Sequence, residues 1–459
     1  MHPTDPTKPS LERGLGPWQA TALNIANMVG IGPFITIPAF IATMHGPQAM
    51  MGWVAAAVLV LCDGLVWSEL GAALPGSGGT YHFLREIFGR YRWGRLMPFL
   101  FIWQFLVSGA LEMASGYVGA LQYLEYATPG LKNLSAQYGI PGGTKWIAAA
   151  SVLIVTVLLC RRITSIGWMG LVLCAGTIIT VALVILAGLT HFNPSLLKPP
   201  PGAFVLDQKF ATGLGGAMLI AIYDYLGYFN VCHLGDEVRQ PERTIPRAVI
   251  TSVIVVALIY LTMNVSIIAV VPWQEAMESK NIAALFMERL YGRTTAVVFT
   301  GFILWTSIAC MFAATLGYSR IPYAAARRGD FFPVFAYLHP TGHYPLVSLV
   351  VFGILTAAFC FLDLGTIISA AVCVRIGVQF IGQIVGLHWL RTTRPDVKLP
   401  FRMWLYPLPS LIALAGWLYV LATADRFVLL ASAHVLIWGV WVFVIWTILA
   451  PQHKAIEAE

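Results

Sequence analysis

Apolar runs of about 20 residues, each long enough to cross a hydrocarbon layer of roughly 30 Å as a helix, recur along the chain and are parted by short polar stretches. The pattern predicts twelve membrane-spanning helices, at 18–43, 47–73, 94–124, 145–160, 164–189, 210–233, 247–271, 295–322, 345–362, 364–390, 404–424 and 427–449. The longest connections, 125–144, 190–209 and 272–294, leave no room for a separate soluble domain. Within the last of them the pattern predicts a short surface helix over 283–290.

Two interruptions stand out against this regularity. The first run is broken at its centre by Asn27-Met28-Val29-Gly30-Ile31-Gly32-Pro33. A helix in lipid has no water for an opened turn, so such a break persists only where protein or a polar cavity satisfies the freed backbone groups. The sixth run carries the second interruption, with Gly213, Gly215 and Gly216 leading into Ile222-Tyr223-Asp224-Tyr225-Leu226-Gly227-Tyr228-Phe229-Asn230. Breaks five spans apart suit an all-α, five-plus-five inverted repeat. The halves are then 18–189 and 210–390, with two helices appended over 404–449 and polar tails at 1–17 and 450–459.

Such a pair of breaks makes a two-ended trap. Amide N–H groups at the start of the second half-helix, around Gly30, Ile31 and Gly32, attract a carboxylate, helped by the positive end of the helix dipole. Carbonyls ending the first half-helices, near Met28 and around Tyr223, Asp224 and Leu226, accept from an ammonium group. An α-amino acid offers both charges at once, which neither a sugar nor a lipid does.

Composition narrows the class without changing it. Hydrophobic residues make up 58% of the 459 and charged residues 11%, with a formal charge of +7. Many of the cations, among them Arg85, Arg90, Arg92, Arg95, Arg161, Arg162, Arg239, Arg243, Arg247, Arg320, Arg327, Arg328, Arg391, Arg394, Lys398 and Arg402, fall on one side if the N-terminus is cytoplasmic. That places both termini in the cytoplasm and reads the charge as positive-inside topology, with no nucleic-acid surface. The first run lacks a small-residue cleavage site and is a retained span, which fits a bacterial inner membrane. The seven cysteines lie in or beside apolar runs without Cys-x-x-Cys spacing, so neither a metal site nor a disulfide framework is expected. Scattered histidines offer no catalytic cluster, no pore segment repeats, and Gly76-Ser-Gly-Gly-Thr80 lacks the Gly-Lys-Ser/Thr ending of a phosphate loop. The expectation is a transporter and not an enzyme or a channel, with no cofactor.

Ionisable groups inside the spans are candidates for function because a lone charge there costs several kcal/mol. Asp63, Glu112, Asp224 and Arg375 are the deepest. Ser108, Gly109, Glu112, Ser115 and Gly116 share one small, polar face of the third helix by their spacing. Glu112 and Asp224 are coupling candidates, or ligands for a cationic substrate. Arg375 is expected in an ion pair whose partner the sequence does not name.

Four stretches carry a family resemblance. Gly30-Ile31-Gly32-Pro33-Phe34 is similar to the Gly-Ser-Gly-Ile-Phe break of the amino acid–polyamine–organocation transporters. Glu69-Leu-Gly-Ala-Ala-Leu-Pro75-Gly-Ser-Gly78-Gly79-Thr-Tyr81, running on through Arg85 to Gly89, resembles the family's stretch after its second helix. The acidic, Pro-rich junction from Asp236 to Ala248 and the segment from Ser319-Arg320 to Gly329-Asp-Phe-Phe-Pro333 also match in order. The resemblance implies the leucine-transporter type of fold, with substrate held among helices one, three, six and eight. It further implies that Met28, Gly30, Ile31 and Gly32 bind the substrate's main-chain groups. Tyr223 then stands at an aromatic gate, with Asp224 and Leu226 in the unwound segment of helix six. Ile31 departs from the usual Ser, and Asp224 is an acid where the family has a small or neutral residue.

Some relatives use a Lys in helix five in place of sodium, but 164–189 contains none. A proton is therefore the expected coupling ion, with sodium at Thr306 and Ser307 as the alternative. Amino acids are the first expectation for substrate, with cationic amino acids or polyamines held by Asp224 and Glu112 as the alternative, and exchange as another mode. Some relatives join a heavy chain by a disulfide through the loop between helices three and four; 125–144 has no Cys, so no such partner is expected.

Overall fold

Each apolar run becomes helix, and the exceptions to straight helix lie where glycine and proline interrupt the pattern. The computed structural model describes residues 14–76, 78–89, 91, 93–137, 139, 141–160, 166–340, 342 and 344–449. The C-terminal tail, most of the N-terminal tail, Ser77, and Arg90, Arg92, Arg161 and Arg162 among the cations lie outside these residues.

The first span is a bent pair, α1 (Pro17–Met28) and α2 (Gly32–Met44), turned by 54° at the break. Then follow α3 (Met50–Ala73), the amphipathic α4 (Thr80–Phe88), α5 (Leu96–Ala127), the short α6 (Gly130–Gln137), α7 (Lys145–Leu159) and α8 (Ile166–Thr190). The second half runs through α9 (Gln208–Tyr225), α10 (Pro241–Ile268), α11 (Trp273–Glu278), α12 (Ile282–Tyr318), α13 (Arg320–Arg327), α14 (Leu346–Phe359), α15 (Leu364–Arg375) and α16 (Gly382–Thr393). Two further helices, α17 (Leu408–Thr423) and α18 (Arg426–Leu449), end it. Among the described residues, six helices are long and apolar enough to cross a bilayer, the bent pair makes a seventh, and four shorter apolar helices accompany them. This is a polytopic membrane protein.

Several expected bounds shift for local reasons. The sixth run is not helical to residue 233: α9 stops at Tyr225, and only a 3-10 turn, Asn230–His233, follows. Gly227 sits there at φ 111°, a conformation that favours glycine, and an added Cβ would press on the Asn27 backbone at 3.3 Å, so the two breaks touch. The seventh helix starts at Pro241, ahead of the expected 247, because proline is accommodated at a helix start. The eighth is joined to its predecessor across Gly292, whose φ of 82° interrupts the helix, and it ends at Tyr318 instead of 322. In the tenth a π-helical turn, Ile376–Ile381, follows Arg375.

The helix expected over 283–290 forms, but it is no surface ornament. Ile282, Ala283, Ala284 and Phe286 are buried, and the segment packs with α11 against α2. Tyr123 of α5 fastens it, donating to the Phe34 carbonyl at 2.6 Å and accepting from the Ala283 N–H at 3.3 Å. Residues 282–291 thus form a plug over one end of the bundle.

The apolar core divides in two. One cluster joins α1, α2, α3, α9 and α10, and the other joins α5, α7, α14 and the latter part of α12. Polar clasps hold the opposite end from the plug. Asp330 accepts from Tyr81 at 2.6 Å and pairs with Arg85 at 2.8 Å and Arg95 at 3.2 Å, bringing together two of the family-like stretches. Burial, with the Asp330 charge beside it, pushes the Tyr81 hydroxyl above its ordinary range. Glu69, fully buried, takes both oxygens to Arg391 at 2.7 Å and accepts from the Met403 N–H at 2.8 Å.

Candidate functional site

Between the two clusters lies a cavity of about 60 Å³, room for a few waters and small for a ligand. Both breaks line it: Met28, Gly30, Ile31 and Gly32 from the first, Tyr223, Asp224, Leu226 and Gly227 from the second. Glu112 and Met113 of α5 and Cys310, Met311 and Tyr318 of α12 complete the wall. The sequence-predicted ligands therefore converge, with the third and eighth helices opposite them. Asn27 and Ala313, both exposed, mark its rim.

The first break is built from its ends. Helix α1 stops because Val29 turns extended at ψ 102°, and α2 restarts with Gly32 and Pro33 in its first turn. The Tyr260 hydroxyl of α10 clamps the gap, donating to the Met28 carbonyl at 2.6 Å with the Gly30 N–H turned to it. The Ile31 N–H meets the Cys310 sulfur. Gly32 opens α2, so its N–H has no carbonyl one turn back to bond. No side chain fits at either glycine. A Cβ on Gly30 would stand 2.9 Å from the Cys310 sulfur, and one on Gly32 would run into an Asp224 carboxylate oxygen.

Asp224 is the acid of greatest interest in the cavity. It is 3% exposed; Thr36, one turn along α2 from Gly32, donates to one of its oxygens at 2.6 Å, and the other oxygen has no hydrogen-bond partner among the described residues. The neighbouring Tyr223 hydroxyl bonds the Ser115 hydroxyl, bridging the sixth-helix break to α5.

Glu112 is engaged differently. Arg375, 1% exposed, grips it in a short ion pair and also donates to Ser108 at 3.1 Å, while Tyr318 donates to the other Glu112 oxygen at 2.8 Å. The acid that the sequence could not match to Arg375 is thus Glu112, and their charges cancel. Asp224 is left as the cavity's acid without a cation partner among the described residues. Thr306 and Ser307 do not line the cavity. Thr306 reaches Thr180 of α8 at 3.4 Å, and Ser307 donates to the Gly116 carbonyl at 3.0 Å across to α5, not to its own helix.

Sequence reasoning missed Cys310, Tyr318 and the Tyr260 clamp. The first two have a faint signal, since Cys310, Ala314 and Tyr318 recur at i, i+4 and i+8 on one face of α12. Tyr260 has none.

Comparison with known proteins gives the family. A family model described as "Amino acid permease" matches residues 15–450. The chain belongs to the amino acid permease family. The permease is 24% identical to the b(0,+)-type amino acid transporter 1 of Mus musculus, over 92% of this chain and 84% of that one. It is 27% identical to the human cystine/glutamate transporter over 90% and 80% of the two chains. With the serine/threonine exchanger SteT of Bacillus subtilis it shares 24% over 90% and 91%. The permease is an amino acid transporter and not an enzyme.

Proposed function

We propose that the permease is a secondary transporter of amino acids working by alternating access, built as a five-plus-five inverted repeat of leucine-transporter type with twelve spans. The observation that carries this reading is the cavity at the seam between the two apolar clusters, walled by both helix breaks. Helices one, two, six and seven rock against a scaffold of three, four, eight and nine, and the seam is where such motion opens the site. The substrate carboxylate docks at the N-terminal turn of α2, at Gly30, Ile31 and Gly32. Its ammonium meets the carbonyls of Met28, Tyr223, Asp224 and Leu226. Coupling is to a proton, in a cytoplasmic membrane with both termini inside, and the chain works without a disulfide-linked partner or a cofactor. Sodium at Thr306 and Ser307 is the weaker alternative, given that both hydroxyls are engaged across helix interfaces.

A second reading has its own support. Asp224 lines the cavity, and its unpartnered oxygen lies beside Gly32, where it suits a cationic amino acid or a polyamine. Glu112 contributes less to that choice because Arg375 neutralises it. Exchange is a third mode, suggested by the name of the Bacillus relative.

Uptake into proteoliposomes of labelled neutral and cationic amino acids and putrescine, with and without an inward proton gradient and without sodium, tests all three. Gradient-driven accumulation of a neutral amino acid supports the first reading. Preference for lysine, arginine or putrescine supports the second, and uptake only against a preloaded amino acid supports exchange. Uptake that requires sodium would overturn proton coupling.

A further inference from the structure

A second membrane-buried carboxylate lies outside the substrate cavity. Asp63 sits midway along α3 and is 1% exposed. Three donors surround it: the Trp67 indole at 2.9 Å on one oxygen, the Trp417 indole of α17 at 3.1 Å on the other, and the Tyr228 hydroxyl in a very short bond. No cation pairs with it among the described residues. Cys62 on its own helix is close enough to feel its charge. Beside it α10 brings Val249, while the Arg243 and Arg247 side chains of that helix are exposed. The Arg391 cation of α16 engages Glu69, and Asp224 of α9 turns to Thr36.

This donor set suits one protonation state. An ionised carboxylate only accepts hydrogen bonds, and an indole N–H only donates. A neutral carboxyl must place its own O–H somewhere, and of the three neighbours only the Tyr228 oxygen can accept it. Binding a proton therefore reverses the Asp63–Tyr228 hydrogen bond or breaks it.

Tyr228 is an effective place for such a switch to act. It lies in the unwound segment after α9, between Gly227 and Asn230 of the cavity wall. Its carbonyl accepts from the Asn24 side chain of α1 at 2.6 Å, and the same side chain accepts from the Val231 N–H at 2.8 Å. Lower down, Leu15 pairs with the backbone of Glu237 and Arg239 at 3.0 and 2.8 Å. Half-helix α1 and the segment after the second break are thus joined at two levels, and the Tyr228 hydroxyl ties the pair to α3.

We propose that Asp63 is the proton-binding site of the transport cycle, accepting the Tyr228 hydrogen bond and so holding the joined break segments when ionised, and reversing or breaking that bond when protonated. The inference rests on proton coupling as read above and assigns it to a residue outside the cavity.

Proteoliposomes holding wild type or D63N are given an inward gradient of one pH unit, and counterflow is measured at equal pH on both sides. One proton per substrate drives at most about tenfold accumulation in wild type, and D63N is expected to reach about onefold while keeping counterflow. Wild-type-like accumulation by D63N overturns the assignment and leaves proton coupling standing. A wild type that accumulates nothing overturns both. If D63N lacks counterflow too, Y228F decides, with substrate binding measured against pH: a moved midpoint relative to wild type supports the switch, and an unmoved one overturns it.

Discussion

Replacing Arg375 by Met strands Glu112 beside the cavity without its cation. Breaking a buried ion pair by removing one partner costs about 3–5 kcal/mol, because the remaining charge is left uncompensated. Glu112 keeps the Tyr318 hydroxyl at 2.8 Å, and 18% of its side chain is exposed, so R375M is expected at about 3 kcal/mol, the lower end. E112Q removes the opposite charge and leaves Arg375, 1% exposed, with Ser108 and the face of Phe105, so its loss is expected to be at least as large. In E112Q/R375M no charge remains. If desolvation governs the pair, the double variant lies closer to wild type than R375M does, which requires a coupling energy of at least about 3 kcal/mol, the upper end for groups in contact. Thermal unfolding in detergent, followed by tryptophan fluorescence at several pH values, ranks the four proteins. A double variant no more stable than R375M would refute the ion-pair account and return Glu112 to the list of free acids. Counterflow by the double variant would separate a structural pair from a catalytic one.

Other expectations follow from single contacts. G30V and G32V are each expected to abolish uptake with membrane insertion retained, since the added side chains meet the Cys310 sulfur and the Asp224 carboxylate; uptake by both variants would remove the proposed carboxylate site. D224N is expected to depress uptake of a cationic substrate far more than that of a neutral one, read from paired uptake assays, and equal losses would tie the acid to coupling or structure. Asp363 caps α15 through the Thr366 N–H at 2.8 Å, so D363A is expected to lose about 1 kcal/mol in the same unfolding assay. Burial works to raise that carboxyl, but the Thr366 N–H and hydroxyl and the Lys145 charge hold it below its ordinary value. The cap's contribution is therefore complete above the unfolded-state value near ~3.9 and is lost as pH falls through the lower folded one, and D363A should show none of that acid dependence.

What the sequence made legible was local. The Gly30-Ile-Gly-Pro break, the end of helix at the second break and the helix at 282–291 each follow from a few adjacent residues with special backbone needs. The convergence of both breaks was inferable from their spacing. The partners of the acids were not: Arg375 lies 263 residues from Glu112, and Trp417 lies 354 from Asp63, and nothing in helical periodicity encodes which faces of distant helices meet. The same limit explains Thr306 and Ser307, whose hydroxyls are adjacent in sequence yet point to different neighbours, α8 and α5. The helix over 283–290 was read as a surface feature because its short apolar run carries no sign that α2 and Tyr123 wait to cover it.

The plug also has a mechanical property of its own. Gly292 joins it to the rest of α12 at a φ of 82°, and on either side of that joint Tyr126 of α5 is engaged: Arg293 donates to its carbonyl at 2.9 Å and lies over its ring, and Glu288 accepts from its hydroxyl at 2.6 Å. A joint held in this way does not bend alone: lifting residues 282–291 from Phe34 and Tyr123 would strain the Tyr126 contacts as well. Tyr126 belongs to α5, the helix that also carries Glu112 and Met113 of the cavity wall, so that end of the bundle and the cavity share one helix.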